Sequence, residues 1–355
     1  MPERLPLSAL LSQALVAFTI ELDNAWESAM PHRTTRHGGP HRAPYAASLR
    51  QWSNFMRVLG EEGLTVAELE RSTRAKPQLD AMRRWGYVTI APHPEDRRAK
   101  PPLRDHVVVP TAAGRRAQQV WRPLPEAIEA RWRERFGAGL VGELRAQLEA
   151  LREGLGLDLP HFLTTFYGGY AEQPGDGPLE VTAEPLPLSA LLSQVLHAFA
   201  LEYEQDAKAS LCYSANVLRL LDEDGAKIAT LPRRSGIAIE PIQTAVGILE
   251  KRHFIVTASD AATRARYARL TGNGLEARAL YQELPAEIEE RWAAQLDVQR
   301  LRSLLETLAT PSGEDRAPLW LGLDPPPGTW RSEVPRPAVL PHFPMPRQSG
   351  HPDGA

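Results

Sequence analysis

Two stretches of this chain set cationic side chains at spacings that can do chemistry. Asp96-Arg97-Arg98-Ala99-Lys100 gathers three cations behind one carboxylate, and Asp260, Arg264 and Arg266 repeat the theme further on. Cations held this closely can grip phosphate oxygens or enter the electronegative minor groove of a duplex. An Asp two residues before Arg98 can orient its guanidinium through a charge-assisted hydrogen bond. Both groups lie in basic surroundings: residues 71–116 carry 11 basic and 4 acidic side chains, and residues 227–278 carry 9 and 4. The whole chain is nearly balanced, with 41 Lys+Arg against 44 Asp+Glu. Local positive segments within a neutral chain are how a polyanion-binding face looks in sequence, although an ordinary solvated surface gives the same charge count.

Other reactive groups are sparse. His32, His37 and His41, among Arg33, Arg36, Gly38 and Gly39, could converge on zinc or copper. With no Asp, Glu or Cys beside them, a basic loop is the plainer reading. Cys212, the one cysteine, excludes an intramolecular disulfide and fits a reducing cytosol. It is either a redox-sensing thiol or a buried small hydrophobe. The sequence has no phosphate-binding loop, no G-x-S-x-G elbow and no H-E-x-x-H, so it points to no enzyme and implies no cofactor. No run approaches the ~18 to 20 apolar residues that span a bilayer. The first 20 residues have a weak secretory-signal look, yet the same stretch recurs mid-chain, where no signal peptide acts. The expectation is a cytoplasmic protein without membrane contact.

The elements that must position these groups are written twice. Leu5–Phe18 aligns with Leu186–Phe199 over 14 positions, and only Ala14/Val195 and Val16/His197 differ. Leu159-Pro160-His161-Phe162 returns at the same offset of 181 as Leu340-Pro341-His342-Phe343. Pro125, Ile128, Glu129, Arg131 and Trp132 match Pro285, Ile288, Glu289, Arg291 and Trp292 at offset 160. Self-similarity on this scale means two copies of one domain, expected at 1–153 and 186–310. An aromatic, Pro/Gly-containing arm and linker occupies 154–185, and a Pro-rich arm occupies 311–355. A chain made this way can build internally what a homodimer builds from two chains.

Within each copy the hydrophobic spacing gives one order of elements. Leu7, Leu10, Leu11, Leu15, Phe18 and Leu22 follow helical periodicity, with Ser12, Gln13 and Glu21 elsewhere on the turn. In the second copy, helices are expected at about 187–208, 212–222 and 227–234. A tight turn at Ser235-Gly236-Ile237 leads to a helix over 238–252, where Pro241 is tolerable in the first turn. Ile242, Ala245, Val246 and Leu249 form the inner face of that helix; Glu240, Gln243, Thr244 and Gly247 point outward. Extended runs at 254–257 and 267–270 bracket a polar tip, and helices at 273–295 and 298–308 follow. The first copy repeats this with helices near 6–28, 48–59, 65–73 and 76–84, a hairpin at 87–109, and helices near 112–135 and 138–152. The fold class is mainly α with small β-wings, α+β, as two winged helix–turn–helix domains. Arg97, Arg98 and Lys100 then tip the first wing, and Arg264 and Arg266 the second. Arg74, Lys76, Gln78, Arg233, Arg234, Gln243 and Thr244 come from the helix–turn–helix units.

Asp96-Arg97-Arg98-Ala99-Lys100 with Val109-Pro110-Thr111-Ala112-Ala113-Gly114-Arg115 resembles the wing and following-helix signature of the MarR family of bacterial transcriptional regulators. The second copy matches with Asp260, Arg264, Arg266 and Leu270-Thr271-Gly272-Asn273-Gly274, and the resemblance covers nearly all of each copy. It implies a dimer whose first and last two helices interleave, recognition helices in adjacent major grooves and wing arginines in the minor groove. It also implies a ligand pocket where the dimerisation helices meet the DNA-binding lobe. Both protomers would lie on this one chain. The expected partners are double-stranded DNA and a small-molecule effector.

The copies also diverge. The stretch from helix–turn–helix to wing is about five residues shorter in the first, which shortens its recognition helix by more than a turn; its wing is longer and carries Pro101-Pro102. The second recognition helix presents Gln243 and Thr244, which can read base edges, beside Glu240, which repels phosphate unless it faces a cytosine amine. Pro123, Pro125 and Pro285 are expected to bend the long fifth helices. Phe162, Phe166, Tyr167 and Tyr170 in the first arm, and Trp320, Trp330 and Phe343 in the second, argue for arms docked on the protein's own surface. The alternative is a flexible ligand offering Pro341-x-x-Pro344 to a partner. The competing functional reading is a winged-helix module that binds a small molecule or protein and no longer reads DNA.

Overall fold

The computed structural model describes residues 4–30, 49–77, 79–163, 165–166, 169–170, 185–260, 262–311, 316–329, 332 and 338–345. It is mainly helical with small antiparallel sheets. The first half runs α1 (Leu7–Ala29), α2 (Leu49–Ser53), β1 (Leu64–Thr65), α3 (Val66–Thr73), α4 (Leu79–Arg84), β2 (Val88–Pro92) and β3 (His106–Pro110). It continues through α5 (Ala112–Trp121), α6 (Leu124–Phe136) and α7 (Ala138–Gly154), then the short pair β4 (Thr165–Phe166) and β5 (Gly169–Tyr170). The second half runs α8 (Leu188–Asp206), α9 (Leu211–Asn216), β6 (Ala226–Lys227), α10 (Leu231–Ser235) and α11 (Ile239–Lys251). It closes with β7 (Ile255–Ser259), β8 (Arg266–Leu270), α12 (Gly272–Ala293) and α13 (Val298–Ala309).

Helices α1 and α8 pack on each other and on α7 and α13, and form the centre of the molecule. The hydrophobic spacing of α1 was expected to leave a polar face elsewhere on the turn. The residues of that face are instead largely covered. Ser12 and Glu21 are buried, Ser12 against the second arm and Glu21 against α6 of its own half. Ser12 donates to Pro341 O (2.8 Å), and Glu21 accepts from Trp132 Nε1 (2.9 Å) and Arg135. The equivalent Glu202 accepts from Trp292 Nε1 (2.6 Å) and Arg291 (2.7 Å).

The two halves clasp each other reciprocally. Glu289 on α12 accepts the Leu7 N–H at the start of α1 (2.8 Å), and Glu129 on α6 accepts the Leu188 N–H at the start of α8 (3.4 Å). Each carboxylate therefore satisfies an otherwise orphaned donor at a positive helix end. An arginine holds each one in place: Arg302 is bidentate to Glu289 and also donates to Leu5 O, while Arg145 binds Glu129 and Leu186 O.

In each half a three-stranded sheet braces the helices, in the order β1-β3-β2 and β6-β8-β7. The two-stranded hairpin expected from sequence is therefore incomplete. Leu64–Thr65 and Ala226–Lys227 add a third strand, and Lys227 belongs to it instead of starting a helix. Two residues are too short to show the period-2 alternation by which strands are recognised. Thr111 and Thr271 cap α5 and α12, accepting from Gly114 N (3.0 Å) and Gly274 N (3.2 Å). A Cβ at either glycine would lie 2.0 Å from the carbonyl oxygen of Tyr87 or Phe254. The Thr-x-x-Gly motif is thus the joint that seats a helix against a strand. The proline expectation splits between the halves. Pro123 and Pro125 together break the helix after Trp121, whereas α12 runs on through its single Pro285.

The arms dock at Phe162 and Phe343, both buried, whereas Tyr167 and Trp330 lie outside the described residues. Asn54 closes a two-way bond with Phe162, donating to its carbonyl (2.8 Å) and accepting its N–H (3.0 Å), while Gln194 of the other half donates to Leu159 O (2.6 Å). In the second arm Asn216 donates to Phe343 O (2.7 Å), and Gln13 reaches Leu340 O (3.5 Å). Each Leu-Pro-His-Phe thus bridges its own half to its neighbour. Pro341 and Pro344 are buried, so the segment is not offered as a free polyproline ligand.

Candidate nucleic-acid interface

The first wing pairs β2 with β3 from Val88↔Pro110 to Pro92↔His106. At its tip Asp96 takes both the backbone N–H (2.9 Å) and the guanidinium of Arg98, which reaches across to Asp105 as well (2.6 Å). The hydrogen bonds from Arg98 hold the Asp96 carboxyl down to about 2. The same two carboxylates push Arg98 above its ordinary value. Arg98 is therefore oriented as its spacing suggested, but its charge is locally offset by two acids. Among the described residues, positive charge without an acidic partner on this wing sits on the exposed side chains of Arg97 and Lys100, whereas the exposed Arg104 lies 3.8 Å from Asp105. The second acid, Asp105, was missed in the sequence because only the hairpin closure brings it to the tip.

The second wing is built differently. Asp260 spends its side chain on the N–H groups of Ala262 (3.1 Å) and Thr263 (2.7 Å) and on the Thr263 hydroxyl. Its backbone carbonyl takes the Arg264 N–H (2.9 Å). Arg264 adopts a left-handed conformation, φ 57°, with its side chain exposed. Arg266, also exposed, bonds Thr257 Oγ1 (3.3 Å). The Asp–Arg pairing of the first wing does not recur, since Ala262 and Thr263 take up the Asp260 carboxylate.

The helices differ more. Helix α11 buries Ile242, Ala245, Val246 and Leu249, and leaves Glu240, Gln243 and Gly247 exposed and Thr244 half-buried. The Thr244 hydroxyl donates back to Glu240 O (3.0 Å), so it retains only acceptor capacity. Arg233 and Arg234 are exposed on the preceding helix α10. In the first half α4 is six residues long, and Lys76 before it is exposed; Gln78 lies outside the described residues. Arg83 and Arg84, both exposed at the end of α4, were missed in the sequence, although two adjacent arginines closing an amphipathic stretch are a readable signal.

Arg74 is turned away from this face. Its side chain is 11% exposed and pairs with Asp158 of the arm at 2.5 Å. The equivalent residue Gly236 is also left-handed, and there the arm's Val339 carbonyl would lie 2.1 Å from an added Cβ. This position receives the arm in both halves, by charge in one and by absence of a side chain in the other. Contact between Arg74 and a ligand would require breaking that ion pair.

Where α2 meets the turn between α3 and α4, a cavity of about 20 Å³ lies among Arg50, Asn54, Ala75 and Met82. That is room for about one water. Burial lowers the Arg50 guanidinium to about 10. Cys212 is buried, and loss of hydration pushes its thiol up to about 12. Among the described residues no three His, Cys, Asp or Glu side chains converge as for a metal; His32, His37 and His41 lie outside them. No described helix is long and apolar enough to cross a membrane.

No family model and no curated protein matches the chain. Among solved structures it is similar to an organohalide-sensing RdhR transcriptional regulator in the 2,4-dichlorophenol-bound form. The TM-score is 0.32 and the sequence identity 20%, over 39% of this chain and 86% of that one. At that score the likeness carries no weight for function, which rests on this chain's own residues.

Proposed function

We propose that the chain is a cytoplasmic, sequence-specific DNA-binding transcriptional regulator of the kind the MarR resemblance implies. It acts as a single-chain pseudo-dimer of two winged helix–turn–helix units. The observation that carries this reading is the reciprocal clasp, Glu289–Arg302 on the start of α1 and Glu129–Arg145 on the start of α8. A homodimer makes such a contact twice by symmetry. Beyond the clasp, each half carries an exposed cationic hairpin against a helix–turn–helix. Arg97, Arg98, Lys100, Arg264 and Arg266 serve as the backbone and minor-groove contacts. Gln243 and Thr244 read bases, Lys76, Gln78, Arg233 and Arg234 touch phosphate, and Asp96 orients Arg98. Arg74 leaves this set because it serves the arm. A small-molecule effector would act by shifting the lobes against the clasp, and the 20 Å³ cavity beside Arg50 would have to open to admit one.

Since α4 and α11 differ in length and outward chemistry, the operator should be asymmetric, with half-sites about one helical turn apart. Genome-wide mapping of bound DNA tests this directly. In gel-shift titrations, Arg97→Ala or Arg264→Ala should weaken binding to every sequence and reduce the salt slope by about one. Gln243→Ala should change sequence preference more than affinity. The two carboxylates on Arg98 and the exposed Glu240 favour the competing reading, a winged-helix module without DNA readout. An absence of salt-dependent binding to any duplex would establish that alternative.

A further inference from the structure

The arms that follow α7 and α13 dock alike at Leu-Pro-His-Phe but reach it by different routes. After α13 the chain makes a long excursion before Leu340, and part of it, Pro318–Trp320 with its flanks, lies on α1 and α13. Leu319 and Leu323 are buried there. Asn24 donates to Leu323 O (3.1 Å), and Arg135 donates to Leu321 O (2.6 Å) while also holding Glu21. After α7 the chain reaches Leu159 in five residues, with no such excursion. Among the described residues, what remains on that side is a groove of about 680 Å³.

The lining of this groove answers the filled one position by position. Ala198, Leu201, Glu202 and Gln205 on α8 stand where Ala17, Ile20, Glu21 and Asn24 stand on α1, and Trp292 stands where Trp132 does. Gln205 can present the same amide as Asn24, and Arg291, which aligns with Arg131, pairs with Glu202 at 2.7 Å as Arg135 pairs with Glu21. One difference gives the occupant's charge. Asp206 lines the open groove where the filled one has Ala25, so a basic flank on the ligand gains a partner.

We propose that the groove between α8, α12 and the end of α7 is a docking site for a partner protein's short apolar segment. That segment would carry two leucines four residues apart, carbonyls free to accept from Gln205 and Arg291, and a basic residue at one flank. The molecule supplies its own template, Arg316–Asp324, seated in the equivalent groove. Peptide capture of this kind combines side-chain pockets with main-chain hydrogen bonds. A single segment of this size gains only modest affinity once its ordering is counted.

The test uses the full chain and a labelled synthetic peptide of residues 316–324, read by fluorescence polarisation. One peptide should bind per chain. Ala198→Trp, which fills the groove, should reduce affinity at least about tenfold, a difference of about 1.4 kcal/mol. Gln205→Ala changes only an exposed side chain and should weaken binding several-fold without altering the melting curve, which guards against misfolding in the first variant. Three results would overturn the proposal. One is no binding up to about 1 mM peptide. Another is binding indifferent to both variants, meaning the peptide had displaced the chain's own segment on α1. The third is an aromatic carboxylate such as salicylate quenching Trp292 while the peptide does not bind, which would make this a small-molecule site.

Discussion

The seam between the halves and the lobes that project from it have diverged at different rates. Along the seam, Glu129 and Glu289, with Arg145 and Arg302 behind them, make corresponding bonds, and within each half beside it Trp132 with Glu21 matches Trp292 with Glu202. In the lobes, α4 and α11 differ by a factor of two in length, and Asp96 and Asp260 spend their carboxylates on different partners. A seam contact is constrained from both sides, because changing one residue leaves its buried partner unsatisfied. A lobe residue facing outward has no such tether within the chain.

The two clasps are the strongest place to test that contrast. Arg302 is 4% exposed and saturates Glu289, whereas Arg145 is 19% exposed and shares Glu129 with Arg133. Removing one partner of a buried pair strands the other, at a cost of about 3–5 kcal/mol. Arg302→Ala should therefore approach that loss in urea unfolding, and Arg145→Ala should cost clearly less. Equal losses would mean that exposure does not set the price here.

The helix–strand joints should instead respond alike. Gly114→Ala and Gly274→Ala each push a methyl to 2.0 Å from a carbonyl oxygen, so the backbone must shift. Overpacking of this kind costs about 1–3 kcal/mol, and thermal melts should give similar drops for both variants. A joint that tolerated alanine in one half only would show that lobe divergence reaches the frame.

The arm latches come next. Asn54 makes two hydrogen bonds to Phe162 and Asn216 makes one to Phe343. At about 1 kcal/mol for each buried bond, Asn54→Ala should destabilise roughly twice as much as Asn216→Ala. The latch histidines add a pH signature. Burial, helped by Arg57, lowers His161 to about 3, and burial with Arg219 lowers His342 to about 3. As pH falls below about 6.5 the unfolded chain takes up these protons while the folded chain does not. The stability they confer is complete above that pH and drains away as pH falls toward 3. His161→Gln with His342→Gln should flatten the stability profile across this window; an unchanged slope would place the titrating groups elsewhere.

Much of this was legible in the sequence where a period or a repeat was long enough to read. The order of helices, the inner face of α11 and the docking of Leu-Pro-His-Phe follow from residue spacing and from one block written twice. What escaped detection was what only tertiary closure creates. Ser12 gave no sign that the second arm would meet it, nor Glu21 that α6 would. Asp105 is seven residues from Arg98 and meets it only when the wing folds. Arg74 reads as a helix–turn–helix cation until the arm brings Asp158 against it. Two-residue strands such as Leu64–Thr65 carry no periodicity to find.

The smallest expected effect lies at one pair of equivalent positions, Arg50 on α2 and Cys212 on α9. Burial acts on both, lowering the guanidinium to about 10 and raising the thiol to about 12, because loss of water penalises whichever form is charged. The thiolate is the reactive species, and at pH 8 this environment leaves almost none. A thiol reagent should therefore label native Cys212 only as fast as the chain opens, and promptly once urea unfolds it. Cys212→Ala removes one small buried atom and should cost about 1 kcal/mol. Labelling of the native protein at the rate of a free cysteine would mean that α9 opens locally, and would make the buried thiol a candidate sensor where the first half keeps a fixed charge.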